Sequence, residues 1–230
     1  MKRFWTEVGI DEARVVTLDG KPVRTPGRRP LALPTAALAQ AVAQEWRDVG
    51  TDIDPRAMPL TGLANAATDP IAQDHAGFAT GLARYAESDL LCYRSEGPPP
   101  LVERQAASWD PLLDWAATRY DVHFAVTSGV MHVTQPPATI VRLSAIVAAF
   151  DPFVLAGLSP VVTLTGSLII ALALFEQQID PDTAWAAAGI DEDWSVEMWG
   201  EDWQAAQSRA AKRREFNFGV QFLKLLTPSA

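Results

Sequence analysis

The chain has 230 residues, 48% hydrophobic and 20% charged, an ordinary globular balance with enough length for one large domain or two small ones. Its formal net charge of −9 argues against a nucleic-acid backbone or an anionic membrane as the main partner, since phosphate and anionic lipid both reward clustered Lys and Arg. A single cysteine, Cys92, excludes an intrachain disulfide and suits a reducing compartment.

The opening residues, Met-Lys-Arg-Phe-Trp-Thr-Glu-Val, lack the apolar run of a secretory signal and meet acid too early for a typical transit peptide, so a cytoplasmic protein is expected. The first third reads as strands and turns. Phe4, Thr6, Val8 and Ile10 alternate, and a β-branched run over 13–18 ends in Asp19-Gly20, the dipeptide of a tight hairpin. Pro22 places the returning strand at an edge, because proline cannot donate to a ladder. Pro26-Gly27 breaks the chain again, and residues 28–33 offer one more short strand. Helix follows from a Thr35 cap, with Leu38, Val42, Trp46 and Val49 forming one stripe and Gly50 ending it. Residues 51–62 read as irregular, with Pro55, Pro59 and Gly62 as breakers.

From about residue 70 the pattern becomes helix after helix. Asp-Pro recurs at 69, 110, 151 and 180 as a start signal, aspartate capping and proline occupying the first turn. Gly97-Pro98-Pro99-Pro100 is a stiff break. Alternation at Val122, Phe124 and Val126, a turn at 127–129 and a return over 130–133 predict one hairpin among the helices. The apolar run over 161–175 is too short to span a bilayer and reads as a buried core helix. The last helix is expected from near Gly200, with Ala206, Ala210, Phe218, Phe222 and Leu225 on one side. Strands first and helices later is an α+β order. The expected layout is a small β-rich domain with one helix over 1–70, then a mostly helical domain over 71–230.

No phosphate-cradling glycine loop, dinucleotide fingerprint or nucleophile elbow is present. His75, His123 and His132 lack neighbours at zinc spacing, although the last two would face each other across the proposed hairpin. Cys92, among Leu90, Leu91 and Tyr93, reads as a buried thiol. Asp110 with Asp114, and Glu197 with Glu201 if the helix ran through Gly200, are the carboxylate pairs that an acid–base enzyme in an interdomain cleft would use. No metal or cofactor is expected.

The most unusual stretch is 190–203, Ile-Asp-Glu-Asp-Trp-Ser-Val-Glu-Met-Trp-Gly-Glu-Asp-Trp. It carries six carboxylates, no Lys or Arg, and three of the eight tryptophans, Trp194, Trp199 and Trp203. Flat apolar rings rimmed by charge suit a protein-binding patch, the rings supplying buried area and the charges orientation. The same residues also suit a plain corner between helices, its acids gathered at a helix N-terminus.

An ordered set of short stretches covers nearly the whole chain: Arg3-Phe4-Trp5; residues 18–26, Leu-Asp-Gly-Lys-Pro-Val-Arg-Thr-Pro; Leu33-Pro34-Thr35; Glu45-Trp46; and Met58-Pro59-Leu60-Thr61. It continues with Ser88-Asp89-Leu90-Leu91, Gln105, Trp109-Asp110-Pro111-Leu112, Ser167-Leu168-Ile169-Ile170 and Trp199-Gly200 with its upstream acids. Together these resemble the family of assembly chaperones for the α subunit of the ATP synthase catalytic head. The resemblance implies a β-rich domain followed by a helical one, no catalysis, and a protein that holds the unassembled α subunit until β covers the same surface. With no heptad run to suggest a coiled coil, a monomer is expected, and the lack of transit-peptide character favours a bacterial cytoplasm, or the mitochondrial matrix for a processed protein. The resemblance also implies a required acid upstream of Trp199-Gly200, here Asp191 with Glu192 beside it. The expected partner-binding set is Asp191, Glu192, Trp194, Glu197, Trp199 and Glu201. Trp46, by contrast, is expected to serve the core.

Overall fold

Asp19 and Gly20 both adopt positive φ (48° and 75°), the backbone a two-residue hairpin turn needs. They join β2 (Val16–Leu18) to β3 (Lys21–Pro22), and β1 (Val8–Ile10) pairs antiparallel on the other side of β2. Pro22 therefore lies on an edge strand, as its missing N–H requires. The Asp19 carboxylate accepts the N–H groups of Thr6 (3.0 Å) and Glu7 (2.8 Å), which fastens the N-terminal segment and holds its pKa below the usual value. The alternation expected from Phe4 onward does not extend that far. Phe4 is 69% exposed, while Trp5 is buried and meets Trp46 edge to face at 5.2 Å.

The computed structural model describes residues 1–227. The chain forms two compact units in an α+β arrangement. The first comprises Met1–His75, Asp151–Gly157 and the segment from Phe218 on; the second comprises Ala76–Phe150 and Leu158–Asn217. The first unit is thus not one continuous stretch. Its later segments belong there through packing: Phe153 stacks on Phe222 at 6.3 Å, and a Cβ on Gly157 would stand 2.7 Å from Leu223. The Thr35 hydroxyl also donates to the carbonyl of Leu225 at 2.6 Å.

Within this unit α1 (Ala36–Asp48) is capped by Thr35 Oγ1, which accepts the Leu38 N–H at 3.1 Å. Leu38, Val42 and Val49 are buried, and Trp46 is partly covered. The stretch expected to be irregular up to residue 62 instead begins α2 (Pro59–Ala66). Pro59 occupies the first helical position, where its missing N–H costs nothing, so it starts the helix rather than breaking it. The cap comes from another helix: Glu45 of α1 accepts the N–H groups of Leu60 and Thr61, both at 2.8 Å, and the Thr61 hydroxyl at 2.7 Å. Burial pushes the Glu45 pKa up against these bonds. Glu45→Ala is expected to lower stability by about 1–2 kcal/mol in urea unfolding, and to lose most of that effect in a Thr61→Val background.

Two of the four Asp-Pro pairs do not start helices. Asp69-Pro70 lies in a π-helical continuation of α2, Ala67–Ile71. Its buried carboxylate turns away to bind the Thr25 hydroxyl (2.9 Å) and the Gly27 N–H (2.6 Å), fixing the Pro26-Gly27 turn. The stretch 28–33 forms no strand, only isolated bridges of Pro30 with Arg24 and Ala32 with Val15.

The second unit is organised around the apolar run over 161–175; expected as one buried core helix, it is divided at Gly166, whose φ of 67° breaks the helix, into the end of one helix and the whole of the next. Following α3 (His75–Ala83), β4 (Tyr93–Arg94), α4 (Pro99–Tyr120), β5 (Thr127–Ser128) and α5 (Pro137–Ala148), the chain enters α6 (Pro152–Thr165) and then α7 (Leu168–Phe175). Residues 168–173 of α7 are wholly buried, and the helix packs against α4 and against α8 (Pro181–Ala188). Ser167 caps α7 by accepting the Ile170 N–H at 3.0 Å. Asp89, with no exposed surface, accepts the N–H groups of Ile169 and Leu91, both at 3.1 Å. The conspicuous Ser88-Asp89-Leu90-Leu91 therefore supplies a second, distant cap to the core helix. Asp151 and Asp180 do cap α6 and α8. Asp110-Pro111, however, sits inside α4, where Asp110 pairs with Arg94 at 2.7 Å.

The expected hairpin over 122–133 is absent. Only Thr127–Ser128 is extended, and it pairs parallel with Tyr93–Arg94. The loop is closed by a side chain instead: buried Gln135 accepts from the Ala125 N–H (2.9 Å) and donates to the Ala125 carbonyl (3.0 Å). His123 and His132 consequently do not face each other across a ladder, and His132 Nδ1 lies 3.2 Å from the Tyr93 hydroxyl. Among the described residues no group of His, Cys, Asp and Glu could hold a metal ion, and no helix is long and apolar enough to cross a membrane.

Candidate functional site

Stretch 190–203 forms α9 (Ile190–Trp199), a short turn and the start of α10 (Trp203–Leu226). Gly189 alone separates α9 from α8, and buried Ile190 anchors the new helix. Asp191, Glu192 and Asp193 fill its first turn, where free N–H groups and the helix dipole favour negative charge.

The charges are less exposed to one another than the sequence suggests, because cations arrive from other helices. Arg104 of α4 grips Glu197 with two bonds, 2.7 and 2.9 Å, and its guanidinium covers the Trp194 ring at 5.2 Å. Arg209 of α10 pairs with Asp193 and lies 3.6 Å from Glu192. The absence of Lys and Arg within the stretch is therefore not an absence of countercharge. Asp202 accepts the Ala205 N–H at 2.8 Å, as a cap for α10. Exposed Glu201 joins no ion pair among the described residues.

Asp191 stands apart. Its Oδ1 accepts from the Gln105 amide at 2.6 Å. Gln105 is completely buried and is fixed by Ser95: its Oε1 accepts the Ser95 N–H at 2.8 Å, and the same Nε2 that serves Asp191 also donates to the Ser95 hydroxyl oxygen at 3.1 Å. The carboxylate is exposed yet oriented from below, and no cation among the described residues pairs with it. Buried Trp109 closes this side of α4 by donating to the Ala187 carbonyl at 2.8 Å, with Arg94 over its ring at 5.1 Å.

The rings divide into two kinds. Trp194 is half covered beneath Arg104, whereas Trp199 is 80% and Trp203 71% exposed, with Met198 52% exposed beside them. Gly200 separates the two exposed tryptophans at φ 86°, ψ 168°, a conformation essentially reserved for glycine. Nothing lies within 4 Å of where its Cβ would stand. This turn also ends α9, so α10 begins three residues later than expected and Glu197 and Glu201 do not share a helix face.

The other carboxylate pair does share a face. Asp110 and Asp114 line a cavity of about 250 Å³ with His123, but Asp110 is engaged by Arg94. Arg104 holds the Glu197 pKa below its usual value, opposite to what a general acid at neutral pH needs.

The stretch drew attention through composition, but its geometry depends on residues that composition does not mark. Gln105 could be found only as a member of the resembling motif set. Arg104 and Arg209 carried no signal, because their partners lie about 90 and 16 positions away in sequence.

Comparison with known proteins gives a consistent picture. A family model described as "ATP12 chaperone protein" matches residues 2–117. The crystal structure of Atp12 from Paracoccus denitrificans is 44% identical and superposes with a TM-score of 0.93 over 98% of each chain. A variant of that protein with an aspartate replaced by lysine matches equally well. A candidate chaperone from Agrobacterium tumefaciens is 39% identical, with a TM-score of 0.91 over 98% of this chain and 86% of its own. The family model stops short of the 190–203 stretch, while the structural matches extend over it. The chain belongs to the ATP12 chaperone family.

Proposed function

We propose that this protein is an assembly chaperone for the catalytic head of the F-type ATP synthase, holding the unassembled α subunit until the β subunit takes its place. Family membership supports the chaperone role. The observation that carries the choice of surface is the pair of exposed tryptophans, Trp199 and Trp203, beside Met198 and bordered by carboxylates. A subunit interface awaiting its partner is an apolar patch that aggregates when left uncovered. Exposed rings supply area to cover it, and a rim of charge keeps the contact displaceable.

On this reading Trp199, Glu201 and Asp191 meet the client directly. Glu192 and Glu197 act with their arginines as a hydrated rim, and Trp194 stiffens α9 beneath Arg104. The protein acts by binding alone.

The test is co-expression with the α subunit of the same organism, without β, followed by pull-down and measurement of soluble α. Soluble α that co-purifies and is released by added β supports the proposal; equal aggregation with and without the chaperone overturns it. Asp191→Lys is expected to lose α retention with an unchanged circular dichroism spectrum. An unfolded spectrum would make Asp191 a structural residue instead.

A further inference from the structure

Asp191 opens onto more than bulk solvent. It lines a cavity of about 600 Å³ in the second unit whose walls include Leu90, Tyr93, Glu96, Gly129 and Val130. The lip is apolar and uncovered: Val130 is 95% exposed and the next residue, Met131, 77% exposed. Two carboxylates face this space without an ion-pair partner among the described residues, Asp191 and Glu96. The Glu96 Oε1 lies 2.9 Å from where a side chain on Gly129 would begin, which places that carboxylate against the cavity wall. One cation also borders the cavity, Arg94, but it is 8% exposed, its charge is paired with Asp110 at 2.7 Å, its Nε donates to the Leu91 carbonyl and its guanidinium lies over the Trp109 ring, although its buried Nη2 makes no hydrogen bond. The space therefore combines unneutralised negative charge, an apolar rim and a carboxylate aimed from beneath by a fully buried amide.

From this arrangement we infer that the cavity is a receptor for a basic side chain, lysine or arginine, projecting from an apolar segment of the client. The aliphatic stem lies along Leu90, Tyr93 and Val130, and the cationic head reaches Asp191 and Glu96. A long cationic side chain suits such a space because its methylenes cover apolar walls while its head keeps polar partners. Arginine is favoured over lysine, since its planar fork makes paired bonds to carboxylates and loses less hydration on entry. The inference rests on the proposed chaperone reading and deepens it. The exposed tryptophans supply adhesion, and this cavity selects which apolar surface is held.

The experiment uses the full chain, isotopically labelled, and a capped pentapeptide Ala-Val-Arg-Val-Ala, with citrulline replacing arginine as the control. The arginine peptide is expected to shift the amide resonances of Gly129, Val130 and Asp191, and the citrulline peptide to shift none of them. Asp191→Asn keeps an oxygen for Gln105 while removing the charge, so it is expected to fold normally and weaken the arginine peptide at least tenfold. Equal shifts with both peptides, or shifts confined to Trp199 and Trp203, overturn the inference. The chaperone reading is tested separately by retention of the α subunit. If α is retained but the arginine peptide neither binds nor competes, only the cavity assignment fails. If α is not retained yet the peptide binds at the cavity, only the chaperone reading fails.

Discussion

Asp89→Ala is expected to lower stability by about 3 kcal/mol near pH 5, read as a shift in the urea midpoint with an unchanged slope. The variant leaves the buried N–H groups of Leu91 and Ile169 without an acceptor, and each orphaned donor costs about 1–3 kcal/mol. It also removes one of the two caps on α7, the most apolar helix of the second unit. The effect should depend on pH with a definite sign. Burial raises the Asp89 pKa from 3.8 to about 6. Between those values the folded state binds a proton that the unfolded state has released. This contribution to stability is therefore fully present below about pH 3.8 and is lost as pH rises through about 6. Asp89→Asn stays neutral throughout. Its disadvantage relative to the parent should be greatest near pH 4 and shrink towards pH 7, by about 3 kcal/mol if the whole shift is realised. A disadvantage that grows with pH would show that the ionised form is the one the site favours.

Trp199→Ser combined with Trp203→Ser is expected to abolish retention of the α subunit without lowering the melting temperature. Both rings are largely exposed, so the fold loses little when they are removed. A tryptophan at the centre of an interface is worth about 2 kcal/mol or more, roughly thirtyfold in affinity, so the pair should cost several hundredfold or more. Surface plasmon resonance against immobilised α subunit measures this directly. Unchanged affinity with soluble, folded variant would move the client to another face. Trp109→Ala is the useful contrast: that ring is 1% exposed, and its loss should reduce binding only by unfolding the protein.

The sequence disclosed what depends on neighbouring residues and concealed what depends on distant ones. The Asp19-Gly20 hairpin, the edge position of Pro22, the Thr35 cap and the burial of residues 168–174 follow from local rules and are present as expected, although Gly166 splits the helix expected over 161–175 in two. Asp-Pro marks the starts of α6 and α8 for the same reason. At positions 69 and 110 it does not, because Thr25 and Gly27 claim the first aspartate and Arg94 the second. Alternation at 122–126 signals a strand that does not form; the short strand falls on Thr127–Ser128, where the sequence predicts a turn, and its partner is Tyr93–Arg94, some thirty positions earlier. The candidate site shows the same division. Its tryptophans stood out from their acidic surroundings, but Arg104, Arg209 and Gln105 decide which acids remain available, and no spacing rule connects them to α9.

The backbone at Gly200 has a consequence for how such a surface can be lost. Room for a side chain exists there, but the dihedral angles it would have to accept do not. Any other residue must swing the main chain to a new angle, carrying Trp203 and its helix start with it. Every ring and every charge of the patch would still be present in the sequence, and its hydropathy would barely change. What would be lost is their mutual bearing, a property stored in two torsions rather than in any side chain.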